Sequence, residues 1–167
     1  MRRTLLIVHH SATGGTRQMA EAAAEGARRA DDVAVLSRHA ADTGPDDLLA
    51  ADGYIFATAE MLAALAGVMK DFFDRSYYPV LDRIQGRPYA LLVCAGSDGS
   101  DGSNAARQIE RIAAGWRLKR VADPLIVCTH AQTPEEILAP KRIDAPDLDR
   151  SREIGETLAT GLSLGIF

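Results

Sequence analysis

Five short apolar runs punctuate the chain, at Thr4 to His9, Val33 to Leu36, Tyr54 to Ala57, Tyr89 to Cys94 and Leu125 to Cys128, and longer helical patterns lie between them. Runs this short and nearly continuous fit parallel strands covered on both faces; a strand with one wet face would alternate apolar and polar residues. The regular exchange of strand and helix signals predicts a βαβ array, hence an α/β fold. A first helix is expected from Thr16 to about Ala30, with Met19, Ala20, Ala23, Ala24 and Ala27 as its apolar stripe. Leu65, Val68, Met69, Phe72 and Phe73 fall at i, i+3, i+4, i+7 and i+8 and predict a helix over 62–78. Ala105, Ile109, Ile112, Ala113 and Trp116 repeat the pattern, and Ile154, Leu158 and Leu162 carry it into a last helix. These stripes read as core.

A chain of 167 residues is read as one domain, residues 1–167, large enough to bury a proper core. Hydrophobic residues at 47% and charged residues at 25% are ordinary globular composition. The formal charge of -4 offers no basic field for nucleic acid or anionic lipid. Arg2 and Arg3 precede an apolar run far too short for a signal peptide or a membrane span, so a cytoplasmic protein is expected. Cys94 and Cys128 end apolar runs with no metal-ligand spacing, which favours two buried thiols over a disulfide or zinc site. Gly44-Pro45-Asp46-Asp47 and Gly86-Arg87-Pro88 read as turns, and Pro134 to Pro146, the least periodic stretch, as a surface excursion with room to reach a partner subunit.

The chemistry concentrates in the loops that follow the strands. His10-Ser11-Ala12-Thr13-Gly14-Gly15-Thr16-Arg17 sits between the first strand and the first helix. Its hydroxyls and glycines can converge with backbone N–H groups on a phosphate at the positive end of a helix. Lys followed by Ser or Thr, needed for a nucleoside triphosphate and Mg²⁺, is absent, and so is the dinucleotide G-x-G-x-x-G spacing. The alternative is a glycine turn with Thr16 capping an ordinary helix. Thr58, Ala59, Glu60, Met61 and Leu62 follow the third strand, and Ala95, Gly96, Ser97, Asp98 and Gly99 the fourth. In a doubly wound sheet all three loops meet at one edge, where ligands bind beyond the carboxyl ends of the strands.

On these residues, together with Gly67-Val68-Met69-Lys70-Asp71-Phe72-Phe73-Asp74-Arg75 and Cys94-Ala95-Gly96, the chain resembles the flavodoxin-like flavoproteins, near their NAD(P)H-dependent FMN reductase and quinone reductase branches. The resemblance implies a three-layer sandwich with a five-stranded parallel sheet in 2-1-3-4-5 order and helices on both faces. It implies non-covalent FMN, its phosphate held by Ser11, Thr13, Gly14, Gly15 and Thr16. The ring would lie between Thr58, Ala59, Glu60, Met61 and Leu62 on one side and Ala95, Gly96, Ser97, Asp98 and Gly99 on the other. Gly15 stands where such loops often carry Asn, Ala59 where Pro is common and His10 in place of a frequent aromatic residue. The second and third loops hold no Trp, Tyr or Phe. That favours an open ring and an oxidoreductase relaying a hydride from NADH or NADPH through FMN to a small acceptor, such as a quinone or free flavin. A flavodoxin-type one-electron carrier and a non-enzymatic regulatory domain are the alternatives. The segment from Leu62 to Tyr78 and the proline-rich stretch suggest a homodimer. No catalytic side chain and no metal ligand is assigned.

Overall fold

The structure, a computed structural model, describes residues 2–97 and 99–167. In chain order the elements are β1 (Arg3–His9), α1 (Gly15–Ala27), β2 (Val33–His39), a 3-10 turn (Ala40–Asp42), α2 (Pro45–Ala50), β3 (Gly53–Met61) and β4 (Ala64–Leu65). There follow α3 (Gly67–Val80), β5 (Pro88–Ala95), α4 (Ser103–Gly115), β6 (Lys119–Arg120), β7 (Leu125–Cys128), α5 (Pro134–Leu138) and α6 (Ala145–Leu164).

The sheet runs β2-β1-β3-β5-β6, with β7 also on β5 and β4 folded back on β3. The expected parallel order is present, but seven strands replace the expected five. One difference is at the outer edge. There β6 pairs with Pro88 and Tyr89 of β5 and β7 with Leu92 to Ala95, so two segments share one lane. Pro124, which has no N–H to donate, lies between them. The other is β4, which pairs antiparallel with β3 through Glu60–Leu65 and Met61–Ala64.

Successive strand residues point to opposite faces, and the core divides accordingly. Leu6, Val8, Tyr54, Phe56, Leu91 and Val93 meet Met69, Phe72 and Phe73 of α3, Ile109 of α4, and Trp116. Leu5, Ile7, Ile55, Ala57, Ala90 and Leu92 meet the alanine stripe of α1 and Leu158, Ala159 and Leu162 of α6. The α1–α6 contact is backbone-close. A Cβ on Gly26 would collide with the carbonyl of Arg152, and one on Gly155 with the carbonyl of Ala23.

Several boundaries differ from expectation. The first helix ends at Ala27, where Arg28 to Ala30 close it with turn hydrogen bonds. The helix expected over 62–78 starts only at Gly67, because β3 continues to Met61 and turns at Leu62 and Ala63, both with positive φ. Leu65 is therefore a strand residue. Gly44 to Asp47, read as a turn, opens α2, with Pro45 at its first position and Asp47 Oδ2 accepting from Gly44 N at 3.0 Å.

Candidate functional site

The loops after β1, β3 and β5 meet at the carboxyl edge of the sheet around a cavity that opens to solvent. In the first loop, Gly14 holds φ at +92°, a conformation that glycine takes without a Cβ penalty. The Ser11 hydroxyl accepts from Gly14 N at 3.0 Å, and Gly14 O accepts from Gln18 N and Nε2. The bend so formed delivers the chain into α1 with no side-chain cap and no acidic residue in the first turn. The N–H groups of the first helical turn thus have no acceptor within the helix, and its positive end faces the cavity.

Thr16 sharpens the point. It is buried, it lines the cavity, and its Oγ1 has no hydrogen-bond partner among the described residues. A buried hydroxyl left unpaired costs about 1–3 kcal/mol, which an anionic oxygen at the helix terminus removes. A Cβ on Gly15 would stand 2.6 Å from Cys94 Sγ, so the loop rests directly on β5. Ser11, Thr13, Gly15 and Thr16 all line the cavity, whereas Gly14 shapes the bend behind it. The donor set fits the monophosphate of FMN: neutral hydroxyls and a helix terminus, as a metal-free phosphate needs.

The second loop divides. Ala59, Glu60 and Met61 line the cavity. Thr58 is fully buried, with its hydroxyl donating to Ala59 O at 2.8 Å and accepting from Ala66 N at 3.2 Å, so it is spent in tying β3 to the start of α3. Leu62 is 100% exposed at the hairpin tip, outside the lining. The Glu60 carboxylate accepts from Ser100 Oγ at 2.7 Å and from Ala105 N at 2.9 Å. It acts as a long-range cap on α4, with its negative charge at that helix's positive end.

In the third loop Ala95 and Gly96 line the cavity, and Ser97 and Gly99 lie beyond it. Asp98 falls outside the described residues. The carbonyls of Ala95 and Gly96 accept from Thr129 N and Ala131 N at 2.9 and 2.7 Å, which joins this loop to the segment after β7. That segment supplies lining residues that sequence reasoning missed: Thr129, Ile137, Leu138 and Lys141. One signal was available. Thr133-Pro134-Glu135-Glu136 is a helix-start pattern, and the Thr133 and Glu136 side chains do cap each other's backbone N–H groups.

Cys94 also lines the cavity, and burial pushes its thiol up to about 11, with the Cys128 thiol adding to the shift. The two cysteines form no disulfide among the described residues; Cys94 is buried and Cys128 half-buried. Beside the loop after β1, His39 Nδ1 accepts from Ala41 N, which leaves the proton on Nε2, and Nε2 lies 3.0 Å from His10 Nδ1. Burial, then the neighbouring His39, lowers the pKa of both His9 and His10. No helix is long and apolar enough to cross a membrane, among the described residues.

A family model described as NADPH-dependent FMN reductase matches residues 45–132. A flavodoxin of Aquifex aeolicus (strain VF5) is 32% identical over 102 residues, covering 60% of this chain and 53% of that protein. An NAD(P)H dehydrogenase (quinone) of Acidithiobacillus ferrooxidans (strain ATCC 53993 / BNL-5-31) is 34% identical over 92 residues, 43% of this chain and 46% of that protein. The chain spans about half the length of these curated relatives. Among solved structures, a flavodoxin from the domain Archaea superposes with a TM-score of 0.75 at 18% identity, covering 96% of this chain and 99% of that one. A WrbA-like protein from Agrobacterium tumefaciens gives 0.71 at 22% identity, covering 97% and 98%. At those identities the likeness shows a flavodoxin-like fold.

Proposed function

This chain belongs to the NADPH-dependent FMN reductase family, and from that membership and the site we propose that it binds FMN non-covalently and passes a hydride from NADH or NADPH to a small acceptor such as a quinone or free flavin. The carrying observation is the buried Thr16 hydroxyl, without a hydrogen-bond partner among the described residues, at the start of α1 where no side chain caps the helix. When bound, the flavin supplies the two-electron chemistry. The protein's part is to bind and to orient. Ser11, Thr13, Gly15 and Thr16 hold the phosphate, and Ala59, Met61, Ala95 and Gly96 receive the ring. Glu60 is committed to Ser100 and α4, so it stiffens the ring's side of the cavity and moves no proton. No general acid is assigned.

Absence of aromatic side chains from the described cavity lining favours a reductase, since an aromatic cover would shut a nicotinamide out. The Aquifex flavodoxin relative favours a second reading, a one-electron carrier. Mixing the flavin-loaded protein with NADH or NADPH in a stopped-flow instrument separates the two. Bleaching of the flavin by either nucleotide supports the reductase; inertness to both, with clean reduction by a partner reductase, supports the carrier. On the same reading the chain works in the cytoplasm on small molecules, as a homodimer that light scattering of the purified protein would detect.

A further inference from the structure

Resting on the reading of the cavity as an FMN site, we infer that Ile137 and Leu138 form an apolar wall against the flavin ring and that Lys141 is the positioning residue holding that wall to the phosphate loop. The helix that carries them, α5, has five residues and none is buried. A helix this short does not persist on its own propensity, so something outside it must hold it. At its start, Glu136 Oε2 accepts from Gln132 N and Thr133 N at 2.8 and 3.1 Å. At its end, the Lys141 ammonium donates to the carbonyls of Glu136, Ile137 and Ala139 at 2.5, 2.9 and 2.6 Å. All three ammonium donors are thereby used.

The main chain of Lys141 faces the other way. Its N–H donates to Thr13 O at 2.8 Å, and its carbonyl accepts from Gln18 Nε2 at 2.7 Å. Gln18 Oε1 in turn accepts from Ile143 N at 3.1 Å. One residue therefore clips α5 through its side chain and the phosphate loop through its backbone. The held helix presents Ile137, 44% exposed, and Leu138, 77% exposed, to the same cavity as the phosphate loop. Aliphatic chains gain nothing from a phosphate but gain from covering a flat apolar ring.

Fluorescence titration of the apo-protein with FMN and with riboflavin tests this. Lys141→Met should weaken both ligands by the same factor, about tenfold, and Lys141→Arg should recover most of the loss. Ile137→Ser combined with Leu138→Ser, at exposed positions that leave the fold intact, should reproduce the equal loss. Thr16→Val should weaken FMN and spare riboflavin. Unchanged binding of both flavins by Lys141→Met overturns the inference, and so does a loss confined to FMN, which would place the ammonium's effect on the phosphate. A wild-type chain that binds neither flavin overturns the functional reading and this inference with it; binding by wild type with no response in the variants overturns the inference alone.

Discussion

His39 donates from Nε2 to His10 Nδ1 across 3.0 Å, at the point where β1 and β2 emerge beside the first cavity loop. The bond requires an unprotonated His10 Nδ1. Burial and His39 lower the pKa of His10, and burial, His39 and His10 lower that of His9 against a smaller opposing effect of Glu21, both from an ordinary 6.5. A lowered folded-state pKa means the unfolded chain takes up protons first as the pH drops. Stability should therefore be level above about pH 6.5 and decline below it until the folded-state values are passed. Urea midpoints measured from pH 8 to pH 5 check this, and His39→Gln should flatten the slope.

Gly15 is pressed against Cys94. Replacing it with alanine places a methyl group 2.6 Å from the sulfur, so Gly15→Ala should cost about 1–3 kcal/mol despite its better helix propensity. Cys94→Ala removes the obstructing atom. A double-mutant cycle by urea unfolding should show the pair to be less destabilised than the sum of the single changes.

Glu60→Gln should lower stability by about 0.5–2 kcal/mol, because the carboxylate's charge at the start of α4 is lost while its shape is kept. Thermal unfolding measures the change. A variant as stable as wild type would remove the cap as an explanation for the buried carboxylate.

The two thiols should separate cleanly in reactivity. Cys94 is buried and its pKa stands at about 11, so it is almost wholly protonated at pH 8, whereas Cys128 is half-buried. Timed alkylation read by peptide mass spectrometry should label Cys128 first. FMN should slow the labelling of Cys94 further, because Cys94 lines the cavity.

Gly26 and Gly155 bring α1 and α6 together at backbone distance, and alanine at either would strike a carbonyl that cannot rotate away. Each substitution should cost about 3 kcal/mol, at the upper end of ordinary overpacking, with the loss visible as a lower urea midpoint.

Parts of the fold and of the candidate site could be read from the chain because local pattern and tertiary placement agree there. The buried runs around Leu6, Leu91 and Leu125 became strands, and the stripe of Met69, Phe72 and Phe73 became the core face of α3. The hydroxyls and glycines from Ser11 to Thr16 stood out by composition, and the structure gathers Ser11, Thr13, Gly15 and Thr16 around one cavity at the start of α1. Long-range partners leave none. Thr58 is used by Ala66, and Glu60 is used by Ala105, 45 residues away. Leu62 and Ala63 form a tight turn with positive φ and without the Gly or Asn that normally announces one. Lys119 and Arg120 of β6 are exposed and charged, so no apolar run marks them. Lys141 escaped notice because its partners, the carbonyls of Glu136, Ile137 and Ala139 on one side and Thr13 and Gln18 on the other, leave no mark in composition or periodicity.

The lane that β6 and β7 share has one further effect. With only two and four residues on either side of Pro124, it offers no long ribbon of unpaired backbone to a neighbouring molecule. A second sheet arriving at that border would find too few donors and acceptors in line to zip onto. The interruption therefore blunts this border of the sheet, beside the very strand that bears Cys94 and Ala95, and leaves the seven-residue β2 as the continuous edge on the opposite side.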